Sequence, residues 1–404
     1  MSYEFFIAKR LIKTKQSKFS RPIVIVATVS IALGITVMLL SVFVLTGFKS
    51  GIREKIAGFG GHLQIISYNV NNTYLSNPIT LSFEEAEKIK NIPNVASINP
   101  FITKGGAIKT KNDFMGVVLK GIDNSYDTNF FAQNLIDGKL LNTNKPTNDI
   151  LISKYITDKM NLNIGDKIRI FFYIDETYRQ RTFTISGIYE TGLGIYDEKM
   201  LICDMRVLQA INLWQKNEYE GYEINLKNFD KLSATAENIY YSLSQDKTIR
   251  TIQEIEPSLF AWLDLLDSNV AVILIVMILV SIVVITSTLL IMIFEKSTII
   301  GILKGFGATT LSIMKIFLYK AVYVILKGLI YGNLLALTLG FLQNEYRLFS
   351  LNPQSYYLDH VPVKITFWWI LLVNLLAIVV CTIALLVPAH SIAKISPINS
   401  IKNE

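Results

Sequence analysis

The sequence predicts an α-helical membrane protein: four transmembrane helices, with a large mixed α+β extracytoplasmic domain inserted between helices 1 and 2. Three observations carry this. Residues 22–48, 268–294 and 365–387 hold no charged side chain, and each run reaches the roughly 20 apolar residues that cross a bilayer. Segment 49–267 is rich in charge, with 24 basic against 27 acidic residues. The basic excess behind the net charge of +7 lies beside the apolar runs, on one side of them.

Residues 1–21 carry six basic side chains against Glu4. Within 3–18, Phe5, Phe6, Leu11 and Ile12 alternate with Lys9, Arg10, Lys13 and Lys15 at helical spacing. This is the pattern of an interfacial helix on the inner leaflet. The first span, 22–48, exceeds a signal peptide's apolar region of about 7–15 residues and lacks an Ala-x-Ala site, so it is expected to be retained. The fourth apolar run, 316–344, is less clean. Lys320 and Lys327 lie seven residues apart on one face, facing a partner helix or aqueous cavity, or snorkelling to the headgroups. The segment 295–315 carries Lys296, Lys304 and Lys315 against Glu295, while the 345–364 loop is neutral. The positive-inside rule then puts both termini and 295–315 in the cytoplasm, and 49–257 and 345–364 outside. The net charge is thus a topology signal rather than a nucleic-acid footprint.

Within the outer segment, runs rich in Ile, Val, Phe and Tyr predict strands at 62–67, 98–102, 116–122, 150–154, 167–172, 182–188, 199–202 and 222–226. Ser82-x-x-Glu85 is a capping box opening a helix to about Asn91. Asp204 can cap a helix through Asn212, and 229–244 has helical spacing. The pair 167–172 and 182–188 flanks a polar connection, 175–181, and predicts a protruding hairpin. Pro257 suits a first helical turn, so one helix is expected over 258–294, its outer half a stalk. The remaining segments are the cytoplasmic stretch 295–315, the last span 365–388 and the tail 389–404.

Much chemistry is missing. Gly58–Gly61 lacks the Lys-Ser/Thr of a phosphate-binding loop. His62, His360 and His390 are too scattered for a metal cluster, and no Gly-x-Ser-x-Gly elbow occurs. Cys203 and Cys381 fall in different compartments, so no disulfide is expected. The spans hold no acidic residue, which argues against a proton- or sodium-coupled carrier. No catalytic site of the chain's own is expected.

The stretch Glu295-Lys-Ser-Thr-Ile-Ile-Gly-Ile-Leu-Lys-Gly-Phe-Gly-Ala308 resembles the cytoplasmic motif of FtsX-like/MacB-type ABC transporter permeases, which follows the second of four spans. The end, Pro388-Ala-His-Ser-Ile-Ala-Lys-Ile-Ser-Pro-Ile-Asn-Ser-Ile401, resembles the family's closing pattern, departing at Ser391 and Asn399. Tyr357-Leu-Asp-His-Val-Pro362, Gly165-Asp-Lys-Ile-Arg-Ile170 and Gly187-Ile-Tyr-Glu-Thr191 resemble the lipoprotein-releasing branch.

The resemblance implies a coupling helix that docks into a separate cytoplasmic ABC ATPase. Its residues would be Glu295, Lys296, Ile299, Gly301, Ile302, Leu303, Lys304, Gly307 and Ala308. Ile299, Ile302 and Leu303 would enter an apolar groove, with Gly301 and Gly305 allowing close approach. No cofactor is bound directly, ATP and magnesium belonging to the ATPase. The resemblance also implies a dimer with a second copy or a paralogue. Val42, Phe43, Val270 and Ile273 would line a lipid cavity, from which lipoproteins leave the outer leaflet of the bacterial inner membrane. The hairpin, with Asp175, Tyr178, Arg179 and Arg181, would meet a periplasmic chaperone, on a tip shorter than the family's hook. The rival readings are export of another substrate and a non-transporting, division-type regulator of cell-wall hydrolases.

Overall fold

The computed structural model describes residues 3–13, 20–68, 77–110, 113–174 and 177–389. Asp175 and most of the closing motif, from His390 on, lie outside them, as do residues 14–19 of the expected interfacial helix. The chain divides into two compact units. One comprises residues 1–49, 262–350 and 360–404; the other comprises 50–261 and 351–359.

Four helices are long and apolar enough to cross a membrane: Pro22–Gly60, Pro257–Glu295, Thr310–Tyr346 and Phe367–Ala384. The first three expected runs fall inside them, whereas the fourth helix stops at Ala384, short of the expected 388, and a separate short helix, Leu386–Ala389, follows it; two helices outlast their apolar stretch. The first continues to Gly60, where Gly61 in the left-handed region (φ +67°) donates its N–H to Ala57 and ends it. The Gly58–Gly61 run is thus a helix terminator. The third begins at Thr310, whose neighbour Thr309 caps it through Ser312 N–H. The short helix Tyr3–Lys13 lies on this third helix, with Ala8 buried, Phe5 edge-on to Tyr319, and Glu4 accepting from the Ser312 hydroxyl.

Glycine decides how the bundle packs. A Cβ on Gly332 would stand 2.7 Å from the Ala32 carbonyl oxygen and 2.8 Å from the Ile35 Cβ, and one on Gly328 2.6 Å from Ile31. Gly328 and Gly332 therefore let the first and third helices touch along their backbones, the small-xxx-small packing of membrane helices. Asn333 and Asn374 exchange two amide hydrogen bonds, 2.7 and 2.9 Å, between the third and fourth helices. Lys49 pairs with Asp267 and stands 3.8 Å from Asp264, so the charges that close the first apolar run meet those that open the second.

The outer unit is a ten-stranded mixed sheet. Its strands are β1 (Leu63–Ser67), β2 (Val95–Lys109), β3 (Phe114–Ile122), β4 (Leu135–Gly138), β5 (Asp149–Ser153), β6 (Lys167–Ile174), β7 (Thr177–Tyr189), β8 (Met200–Asp204), β9 (Gly221–Leu226) and β10 (Lys247–Thr251). The order is β10-β1-β9-β2-β3-β8-β5-β7-β4, with β6 joining β2 to β7. Most pairs are antiparallel; β3–β8 and β5–β7 run parallel. Two apolar cores result. One gathers Ile65, Ile89, Ile224 and Ile239 beneath β1 and β9; the other gathers Leu119, Ile152, Phe172 and Leu201.

The expected strands appear, but β2 is far longer than 98–102. Its first half pairs with β9 and its second with β3, so it belongs to both halves of the sheet. Gly106 lies inside the strand, where β6 crosses it. A Cβ there would meet Ile170 at 2.9 Å. The hairpin also differs: β6 runs to Ile174 and β7 starts at Thr177, so most of the expected 175–181 loop is strand. The capping box at Ser82 and Glu85 is present in full, and Asp204 caps Met205–Asn212 as expected.

Candidate functional site

The helix Ser297–Gly305 follows the second long helix, where the cytoplasmic motif predicts one. Gly307, at φ +84°, ends it. Its N–H meets the Lys304 carbonyl and the Ala308 N–H meets that of Leu303, a Schellman closure. Glu295 and Lys296 pair at 3.5 Å at its start. Ile300 and Gly301 are buried, while Ile299, Leu303 and Lys304 are half-buried and Leu303 packs on the bundle core. Gly301 therefore serves packing within the chain.

The outward face differs from the expected Ile299, Ile302 and Leu303. Ile302 is 44% exposed and Phe306 87% exposed. Four residues apart, they form one apolar ridge. A Cβ on Gly305 meets nothing within 4 Å, so the ridge is open beside it. Phe306 is absent from the residues the motif points to; its spacing of four from Ile302 is the signal the sequence offers for it.

The lipid-cavity residues do not share a surface in the single chain. Val42 and Phe43 are sealed in the bundle core, Val270 packs partly against it, and Ile273 faces outward. A helix that is apolar all round gives no indication of which side is buried, which is why sequence could not sort them.

On the hairpin, Tyr178 is 79% exposed and pairs across the strands with Tyr173, ring centres 5.2 Å apart. Arg179 donates to the Ile211 carbonyl at 2.9 Å, so its guanidinium is anchored to the sheet's own helix. Arg181 is exposed and lines a concavity with Asp204 and Arg206.

A second constellation holds the outer end of the first long helix. Lys120 in β3 is 1% exposed; its ammonium donates to the Phe59 carbonyl, to Tyr126 Oη at 3.1 Å and to Glu223 at 2.7 Å. Tyr126 donates to the Gly58 carbonyl at 3.2 Å. Lys120 thus caps carbonyls at a helix C-terminus, where a cation is favoured. Burial pushes the ammonium toward neutrality, but Glu223 and Tyr126 outweigh it and hold its pKa above the ordinary lysine range. Burial lifts the Tyr126 phenol to about 12. The sequence signal for this site is a lone Lys in the apolar run Val-Val-Leu-Lys-Gly, which by itself names no partner.

The element 357–362 also finds its place. Lys55 donates to the Thr191 and Tyr357 carbonyls, and burial lowers its pKa against the pull of Asp359. Leu358 is buried against Gly51.

Comparison with known families places residues 24–254 in the MacB-like periplasmic core domain and residues 271–397 in the FtsX-like permease C-terminal family. The lipoprotein-releasing system transmembrane protein LolC of Neisseria meningitidis serogroup B is 23% identical over 424 residues, covering all of both chains. LolC of Xylella fastidiosa is 21% identical, over 93% of this chain and 92% of its own. LolE of Haemophilus influenzae is 22% identical, over 98% of each. The crystal structure of the periplasmic region of MacB from Actinobacillus actinomycetemcomitans aligns with 52% of this chain and 97% of its own, at 15% identity and TM-score 0.35.

Proposed function

The chain belongs to the ABC transporter permeases with an FtsX-like C-terminal region and a MacB-like periplasmic core domain, and from that premise we propose that it releases lipoproteins from a bacterial inner membrane. The observation that carries the coupling role is the ridge of Ile302 and Phe306, held at a fixed angle by the Gly307 closure. Such a ridge fits an apolar groove on a cytoplasmic ABC ATPase, which in this reading binds the ATP and magnesium and carries the catalysis. Support for the substrate class comes from relatives matched over essentially their whole length and named for lipoprotein release.

In this reading both termini are cytoplasmic and the sheet domain is periplasmic. Two permease subunits, identical or paralogous, face each other. Acyl chains of a lipoprotein enter from the outer leaflet between them, where Val270 and Ile273 contribute wall. Val42 and Phe43 support that wall from the core behind it. Each methylene leaving lipid costs about 0.8 kcal/mol, so moving whole acyl chains requires ATP-scale work and an apolar acceptor. Tyr173, Tyr178 and Arg181 offer an exposed contact for a periplasmic chaperone.

The test is affinity purification of the full chain in mild detergent, with mass spectrometry of what accompanies it, for wild type and Phe306→Asp. An ATPase and acylated lipoproteins accompany wild type, and the substitution removes the ATPase. If no ATPase accompanies the wild-type chain, the coupling reading is wrong. An ATPase without lipoproteins overturns the substrate class. Phe306 is the better site than Gly301, because Phe306 is exposed whereas Gly301 is buried within the chain.

A further inference from the structure

A cavity of about 600 Å³ opens between the first and third long helices. One wall is apolar, with Val29 and Leu33; the other carries Lys320, Lys327 and Tyr331 at spacings of seven and four along one helix face. Lys320 is 4% exposed, and the Lys327 ammonium lies 4.7 Å from the ring centre of Tyr323. Among the described residues neither lysine forms an ion pair, and nearby Glu295 is engaged with Lys296 at 3.5 Å. Snorkelling explains an exposed lysine at the end of a span. It does not explain Lys320, which is enclosed and lines the cavity.

Depth sets the level of these charges. Counting back from Glu345 at about 1.5 Å per residue, Lys327 lies about 27 Å along the helix and Lys320 about 38 Å. Bilayer hydrocarbon is about 30 Å thick, so the two ammonium groups bracket the headgroup level of one leaflet. The cavity volume is that of a small-molecule site, about 300–1,000 Å³.

We propose that this groove holds one acidic glycerophospholipid from the leaflet at the amino-terminal end of the first span. Its phosphate sits between Lys320 and Lys327, and an acyl chain lies along Val29, Leu33 and Leu334. Charge complementarity selects this occupant, because an apolar helix brings no counter-charge and a zwitterionic lipid brings its own cation beside the phosphate, in competition with the two ammonium groups. The inference rests on the membrane-spanning assignment and not on what the protein transports.

The test places the full chain, with any co-purifying ATPase, in nanodiscs of phosphatidylglycerol and phosphatidylcholine, then counts retained lipid by native mass spectrometry. Wild type retains about one phosphatidylglycerol per chain. Lys320→Gln with Lys327→Gln weakens retention roughly thirtyfold, the change expected from losing two lysine contacts. Leu33→Trp fills the groove while keeping both charges and also abolishes retention, so it decides the question if the charge variant fails to fold. Equal retention by wild type and variants, or of phosphatidylcholine and phosphatidylglycerol, overturns the proposal. So does disulfide-linked dimer formation through Val29→Cys, which would assign the groove to a second copy, or recovery of an acylated polypeptide in place of the phospholipid.

Discussion

The sheet domain and the helical bundle bury polar groups in opposite ways. In the sheet domain two buried ammonium groups are answered by charge: Lys120 by Glu223, and Lys247 by Glu85 at 3.1 Å. In the bundle, apart from Lys320 at the cavity, the buried groups are hydroxyls and amides answered by backbone or by each other. Thr36, Ser281 and Thr288 each donate to the carbonyl four residues back, and Asn333 meets Asn374. The reason is the reference state. A soluble domain brings its charges out of water once and can recover the cost by pairing them, whereas a lipid-embedded helix has no water to draw on, so self-satisfied hydroxyls are the cheap solution.

Breaking a buried charge pair should give the largest effect. Lys120→Met leaves Glu223 buried and unpaired, and the sheet domain of the full chain should lose about 3–5 kcal/mol in chemical unfolding. Lys120→Met with Glu223→Met should recover most of it; failure to recover would mean that the helix-capping contact to Phe59 matters more than the pair. In the bundle, the corresponding weak point is glycine. Gly332→Val should cost about 1–3 kcal/mol in thermal stability in detergent. Gly105→Val, where a Cβ meets nothing within 4 Å, should stay within about 0.5 kcal/mol.

Asn333→Ala should be milder, about 0.6 and at most about 1.7 kcal/mol. A double-mutant cycle with Asn374→Ala should return that coupling, and zero coupling would show that each amide is satisfied by its own helix.

Acid sharpens the contrast over a range of pH. The Glu85 carboxyl, although burial alone would raise its pKa, is held at about 2 by Ser82 and Ser244 N–H groups, the Ser244 hydroxyl and Lys247, against an ordinary 4.5. A depressed carboxyl pKa contributes stability above the unfolded value and loses it as pH falls through the folded one. The sheet domain should therefore weaken between about pH 4.5 and 2, and Glu85→Gln should flatten that dependence in a melting-temperature series.

The four spans were legible because lipid excludes charge, and a water-soluble core rarely tolerates an uncharged run of this length. The capping residues Ser82 and Asp204 and the helix Ser297–Gly305 were legible because their signals are local. What stayed hidden was set by distant neighbours. The strand β10, Lys-Thr-Ile-Arg-Thr, alternates too weakly to stand out, yet it pairs along all of β1. The glycines at 106, 328 and 332 are unremarkable until a crossing strand or helix explains them. Lys120 looks like a surface residue, because nothing near it in the chain shows Glu223 arriving from more than a hundred residues away. In the candidate site, the segment is plain from its motif and its facing is not. Leu303 packs inward and Phe306 outward, a matter of helix phase that only the bundle decides.

Residues 306–309 join two helices through a turn whose torsions are fixed at both ends, by the Gly307 closure on one side and the Thr309 cap on the other. Such a joint behaves as an elbow rather than a tether. Force applied at Phe306 by anything seated on it does not dissipate in slack chain. It arrives as torque on the third span, the helix that also carries Gly328, Gly332 and Asn333, so a pull at one membrane face is delivered to the seam where three spans meet.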